Sequence, residues 1–192
     1  MELQHVNVKL YLENSRHVDL EALIPVFHNW IQDQICEELL IDVADYRHVH
    51  AGPGVVLIGH EADYSVDNTD SRLGIRYNRK AILVGSNQSR LKQPLRAALV
   101  ACQRLESDPS LEGKIRFDRR EIELFINDRL IAPNLEDTYT VLKPALEVFF
   151  QELFEGNGFS LRHNSNPRSL FSVAVKSTKP LDPESLLKKL SS

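Results

Sequence analysis

The sequence predicts an α+β fold, a mostly antiparallel sheet of about eight strands with three main helices over it. Polar and apolar residues alternate along several short segments, as half-buried strands require. Three longer segments instead carry apolar residues at helical spacing. Strong turn formers separate the strand segments, which favours antiparallel neighbours.

The first strand covers residues 6–13, with Val6, Val8, Leu10 and Leu12 on one face and Asn7, Lys9, Tyr11 and Glu13 on the other. Asp19 is the candidate N-cap of the first helix. The apolar stripe of that helix is Leu20, Leu23, Ile24, Phe27 and Ile31, with Trp30 bordering it as a core residue. A second strand over 38–50 sets Leu39, Ile41 and Val43 on one face, and Ala51-Gly52-Pro53-Gly54 breaks it. Two long strands, 55–67 and 72–84, follow around the turn Asn68-Thr69-Asp70-Ser71. The second helix, 88–106, shows the face Leu91, Leu95, Ala98, Leu99 and Cys102. Segments 114–118 and 121–127 read as a tight hairpin with Arg116 paired to Glu123 and Arg119 and Arg120 near its tip. A third helix covers 135–154 with Asn134 as its cap. Strands 159–163 and 170–176 then flank the loop Asn164-Ser165-Asn166-Pro167.

One domain is expected over 1–178. The tail 179–192 carries a short amphipathic helix with Leu186, Leu187 and Leu190, read as a mobile or partner-docking element. Within the domain, Lys9-Leu10-Tyr11-Leu12-Glu13-Asn14 echoes Glu123-Leu124-Phe125-Ile126-Asn127-Asp128, and a helix follows each. Pro25 and Pro144 also stand at matching places, which suggests two related strand–helix–hairpin halves, 1–108 and 109–178. A proline inside a helix costs roughly 3 kcal/mol and bends it. The alternative is that both helices begin later, with proline in the first turn.

Composition narrows the function classes. Apolar and charged fractions of 42% and 26% match ordinary globular chains, so disorder is not expected. A net charge of −4 argues against a strongly basic nucleic-acid footprint. No apolar run approaches the roughly 18 residues that span a bilayer, and residues 1–16 alternate like a strand with no signal-peptide core. A cytoplasmic location is expected, with Cys36 and Cys102 reduced and partly buried.

Organised charge and three of the seven histidines concentrate between Asp42 and Lys80. His48 and His50 share a strand face about 6.6 Å apart. With His60 and Glu61 they make a donor set suited to zinc, iron or manganese. A regular hairpin, however, turns His60 to the opposite face and leaves Glu61 roughly 13 Å along the strand. The carboxylates fit cross-strand pairing, with Asp67 facing Arg72, Asp63 facing Arg76 and Glu61 facing Asn78. The opposite face then pairs Val66 with Leu73, Tyr64 with Ile75 and Ala62 with Tyr77. That register also sets His60 against Arg79, a candidate small-anion site which Tyr46 and Arg47 join if the preceding strand folds over it. Gly52-Pro53-Gly54 lacks the lysine and helix of a phosphate loop, and no serine sits in a nucleophile elbow.

The leading expectation is a non-catalytic interaction or assembly protein that self-associates as a homo-oligomer or binds another protein, with no cofactor, nucleic acid or membrane. The alternatives are a divalent-metal enzyme using His48, His50 and His60 with Glu61, and a small-anion sensor using His60 and Arg79.

Overall fold

The computed structural model describes residues 1–13, 18–156 and 158–191. Its strands are β1 (Val6–Leu12), β2 (Leu40–Tyr46), β3 (Gly54–Gly59), β4 (Ala62–Asp67), β5 (Gly74–Arg79), β6 (Phe117–Ile126), β7 (Phe159–His163) and β8 (Phe171–Ser177). Its helices are α1 (Leu23–Asp33), α2 (Asn87–Ser107), α3 (Glu136–Leu153) and α4 (Pro183–Leu190). The fold is α+β, with all eight strands in one antiparallel sheet ordered β2-β3-β4-β5-β1-β6-β8-β7.

The chain runs strand, helix, meander, helix, and then does so again. Four strands form the first meander and two the second. The last strand of each meander returns beside its own first strand, β5 on β1 and β8 on β6. The halves meet where β1 and β6 pair antiparallel, and the two echoing segments lie side by side there with Lys9 opposite Glu123. The prolines do not share this correspondence. Pro25 lies in the first turn of α1, whereas Pro144 stands inside α3 and Pro94 inside α2. Asp19 does not cap α1; its carboxylate accepts from the Glu21 amide, and the helix begins later.

One hydrophobic cluster occupies one face of the sheet. Val8, Leu10, Leu57, Tyr64, Ile75, Ile122, Leu124, Val173 and Val175 share that face by strand register and pack under the buried sides of the helices. Trp30 is buried in this cluster, edge-on to Phe27 and Tyr64. The tail is part of the same core. In α4, Leu186 and Leu190 are buried, Asp182 caps the helix through the Ser185 amide, and the Lys189 ammonium donates to the Leu153 carbonyl at the end of α3. It is a docked helix, where the sequence suggested a free one.

Four other expectations are corrected. The strand drawn over 55–67 folds back on itself as β3 and β4, because Gly59 sits where a Cβ would collide with the Ala62 carbonyl oxygen. The turn after β4 uses residues 68–73, with Asp70 and Ser71 in the left-handed region, so the β4–β5 register slides by two. Asp67 therefore faces Gly74, Asp63 faces Asn78, Val66 faces Ile75 and Tyr64 faces Tyr77. A slip of two keeps every side chain on its expected face. The hairpin at 114–127 is instead the single strand β6, in which Asp118–Glu121 bulge out against Leu10–Leu12 of β1. Arg116 thus lies outside the strand, and Glu123 faces Lys9 and Ala174. Finally, β2 is shorter than 38–50, and a bulge at Ile41 splits the expected set, with Leu40 buried, Val43 packed against the core opposite Leu57, and Leu39 and Ile41 exposed.

Truncating a well-packed leucine costs its transfer free energy plus that of the cavity left behind. Leu186→Ala should therefore lower the unfolding free energy by about 2–3 kcal/mol in urea denaturation. A loss under about 0.5 kcal/mol would mean that α4 does not dock.

Candidate functional site: the bare face of the sheet

All four helices bury residues in the cluster on one face, and among the described residues no helix covers the other. A sheet with one solvated face ordinarily carries exposed polar side chains there. Here the centre is polar and yet closed to water. Asn7 and Ser172 are fully buried, Lys9 is 2% exposed and Tyr11 5%.

The network that closes it starts at Lys9. Its ammonium donates to the Asp67 carboxylate at 2.5 Å and to the Thr69 carbonyl at 3.3 Å. Asp67 also accepts from the Thr69 amide and hydroxyl, so the β4–β5 turn is tied to the ion pair. The Tyr11 hydroxyl donates to Glu123, whose other oxygen accepts from Ser172 at 3.0 Å. The Arg72 guanidinium lies 3.5 Å from the centre of the Tyr11 ring and reaches Glu121 at 2.9 Å. Arg76 stacks over Phe125, and the Asn7 amide donates to Asn78. These contacts tie β4, β5, β1, β6 and β8 together across the sheet. No buried side-chain nitrogen or oxygen among the described residues lacks a hydrogen-bond partner.

Burial here is strong enough to move protonation. Loss of hydration holds the Lys9 ammonium below the ordinary lysine value, against the opposing pull of Asp67. Because the folded chain gives up that proton more readily than the unfolded one, this group favours folding increasingly as pH rises toward the lysine range. Burial likewise raises Tyr11, with the Glu123 charge adding to it, so the hydroxyl stays protonated and donates.

A second polar constellation sits on the helix side. The Glu38 carboxylate is 5% exposed and accepts from the Tyr64 hydroxyl at 2.7 Å and the Tyr77 hydroxyl at 2.6 Å, with Gln93 of α2 completing the clasp at 3.3 Å. This clasp draws Glu38 inward, and with the bulge between Leu40 and Asp42 it sets Leu40 on the core side in place of Leu39 and Ile41. Beside it lies a cavity of about 130 Å³ lined by Cys36, Glu38, Tyr64, Arg96 and Arg104 among others. Arg96 is ion-paired to Glu37. Burial pushes the Cys36 thiol up to about 11, which leaves it a poor nucleophile at neutral pH.

The residues singled out from sequence stand elsewhere. His48 and His50 are exposed in the turn after β2, where the His48 ring stacks on Tyr46. His60 occupies the β3–β4 turn with its side chain 71% exposed, 3.4 Å from Glu61. Among the described residues, no three His, Cys, Asp or Glu side chains come together in a geometry that holds a metal ion. Arg79 faces Ala62, on the helix side, and donates to the Ala81 carbonyl, so the expected His60–Arg79 pair is not made. Arg47 forks between Asp45 and Glu21. Glu61 ties the end of the sheet together, its carboxylate accepting from the Leu39 amide and its carbonyl from Lys80 and Ala81. Of the arginines read as a hairpin tip, Arg119 pairs with Glu106, and Arg120 donates to the Thr178 carbonyl.

The residues that sequence reasoning passed over are Asn7, Lys9 and Tyr11 of β1 with Asp67, Glu123 and Ser172. The common face of Asn7, Lys9 and Tyr11 was visible from alternation alone. Its burial was not, because that depends on which strands flank β1.

Two measurements follow. Asp67→Asn leaves a buried ammonium without its counter-charge and should cost about 3–5 kcal/mol, whereas the double change Lys9→Met, Asp67→Leu should recover most of that loss. Equal losses in both variants, in urea denaturation, would contradict a buried ion pair. For Cys36, a thiol titrating near 11 has about one part in a thousand as thiolate at pH 8. Disulfide-exchange labelling of native protein should therefore be slow and rise about tenfold per pH unit. Fast labelling of Cys36 at pH 7 would refute its burial.

Comparison of the chain with models of known protein families gives no match, and comparison with curated proteins gives none either.

Proposed function

We propose that the protein is a non-catalytic binding module that recognises a partner through the bare face of its sheet. The observation that carries this reading is the fixed polar network at the centre of an uncovered face, with Lys9, Asn7, Tyr11 and Ser172 almost wholly withdrawn from water. Polar groups locked by one another lose little further freedom on binding, so such a surface is pre-organised for recognition. Around this centre stand Arg162 and Lys176, both exposed, which make no ion pair or hydrogen bond through their side chains among the described residues. They are available to a partner.

The groups that catalysis would recruit are engaged otherwise. Two tyrosines occupy the Glu38 carboxylate, and burial suppresses the Cys36 thiolate. Self-association fits this reading better across the face than along the β2 edge. There the Val43 and Arg47 amides donate to the carboxylates of Asp42 and Asp45, and a bulge interrupts the strand. Charges and bulges of this kind discourage strand addition. A cytoplasmic setting belongs to the same proposal and is supported by two free cysteines. Among the described residues no helix is long and apolar enough to cross a membrane.

The test compares proteins retained from a native extract by immobilised wild type, by Arg162→Glu, Lys176→Glu double variant, and by Lys143→Glu on the exposed side of α3. The reading expects a retained species that the face variant loses and the helix variant keeps. Identical retention by all three would remove the bare face from consideration.

A further inference from the structure

The bare face is not uniformly filled. Over β6, β8 and β7 it opens into a groove of about 440 Å³ lined by Glu123, Arg162, His163, Asn164, Ser165 and Ala174. Glu123, Ala174 and Arg162 are direct cross-strand neighbours in that order. The groove exists because the middle member of this row is an alanine, whose methyl group leaves the sheet floor open between two long side chains. Strand spacing sets the outer two residues about 10 Å apart at the backbone.

Their charges are opposite and do not meet. Glu123 is held toward β1 and β8 by the Tyr11 and Ser172 hydroxyls, one on each oxygen. A carboxylate accepts about four hydrogen bonds, so two acceptor positions stay open to the groove. On the far side the Arg162 guanidinium has no hydrogen bond or ion pair among the described residues. The Asn164 side-chain oxygen accepts from the Asn166 backbone amide, which leaves the two side-chain N–H donors free, and the Ser165 hydroxyl is also unengaged. An anion alone would meet the Glu123 charge on the floor, and a cation alone would meet Arg162. Both are disfavoured by like charge.

The geometry points to a short zwitterionic peptide as the ligand of this groove, its terminal ammonium on Glu123 and its terminal carboxylate on Arg162, with Asn164 and Ser165 at the carboxylate end. Two extended residues span about 7 Å, which lies within the roughly 10 Å that separates Glu123 and Arg162 at the backbone. This inference rests on the bare face being the recognition surface, and it names what one part of that surface takes.

The probe is unblocked Ala-Ala, added to the full chain and followed through the backbone amide shifts of Ala174, Arg162 and Ser165. A saturable shift is expected. N-acetylation or C-amidation of the probe, Arg162→Ala, and Glu123→Gln should each weaken it about tenfold or more. Glutamine keeps the acceptor oxygen for one hydroxyl, and Arg162 is exposed, so a far-ultraviolet spectrum and unfolding midpoint like the wild type's establish that both variants are folded. The inference is overturned by no saturable shift up to the solubility of Ala-Ala, or by equal binding of free and blocked probes. If Ala-Ala fails while the Arg162→Glu, Lys176→Glu variant still loses its retained partner, the peptide inference falls and the broader reading stands.

Discussion

Every residue of β1 is buried, although only one of its faces touches the hydrophobic core. A central strand of alternating pattern, Val-Asn-Val-Lys-Leu-Tyr-Leu, is therefore obliged to satisfy a lysine, an asparagine and a tyrosine away from water. The rest of the architecture answers that constraint. β5 and β4 on one side bring Asn78 and Asp67, and β6 and β8 on the other bring Glu123 and Ser172. Each buried donor finds an acceptor on a different strand, so the polar contacts fix strand order as well as register.

This constraint also gives the two halves a reason to share one sheet. Neither half alone flanks its first strand on both sides. β1 has only β5 from its own half, and β6 has only β8. Pairing β1 with β6 closes both open edges at once and places Lys9 against Glu123. The polar face that results is held by bonds across five strands, and it is the one large sheet surface that no described helix covers. The side chains that stabilise the sheet are thus the same ones that make this face stiff.

Much of this fold was legible in the sequence, because alternation and helical spacing survive errors of register. The faces of β1, β4 and β5 were assigned correctly even though the β4–β5 pairing slid by two residues, since a slip of two does not turn a side chain over. What failed depended on single residues whose effect is not periodic. Gly59 divides one long strand into a hairpin, and the polar run Asp118-Arg119-Arg120 forms a bulge where a turn was expected. Glu38 is drawn inward by Tyr64 and Tyr77, and a bulge between Leu40 and Asp42 turns Leu40 inward and Ile41 outward while Val43 keeps the core face. The histidine cluster dissolved for the same reason, because His48, His50 and His60 all fall in turns. The bare face could not be found from one strand. Its members come from β1, β4, β5, β6 and β8, and only strand order makes them neighbours.

The central claim is that the polar side of β1 is a fixed network closed by its own neighbours. Side-chain NMR of protein carrying nitrogen-15 at lysine measures this most directly, through the Lys9 ammonium group. The account requires a separate Lys9 signal whose protons exchange slowly with water and show contacts to the Asp67–Thr69 turn, and both features should vanish in Asp67→Asn. An averaged Lys9 signal, exchanging as fast as that of an exposed lysine such as Lys176, would contradict it.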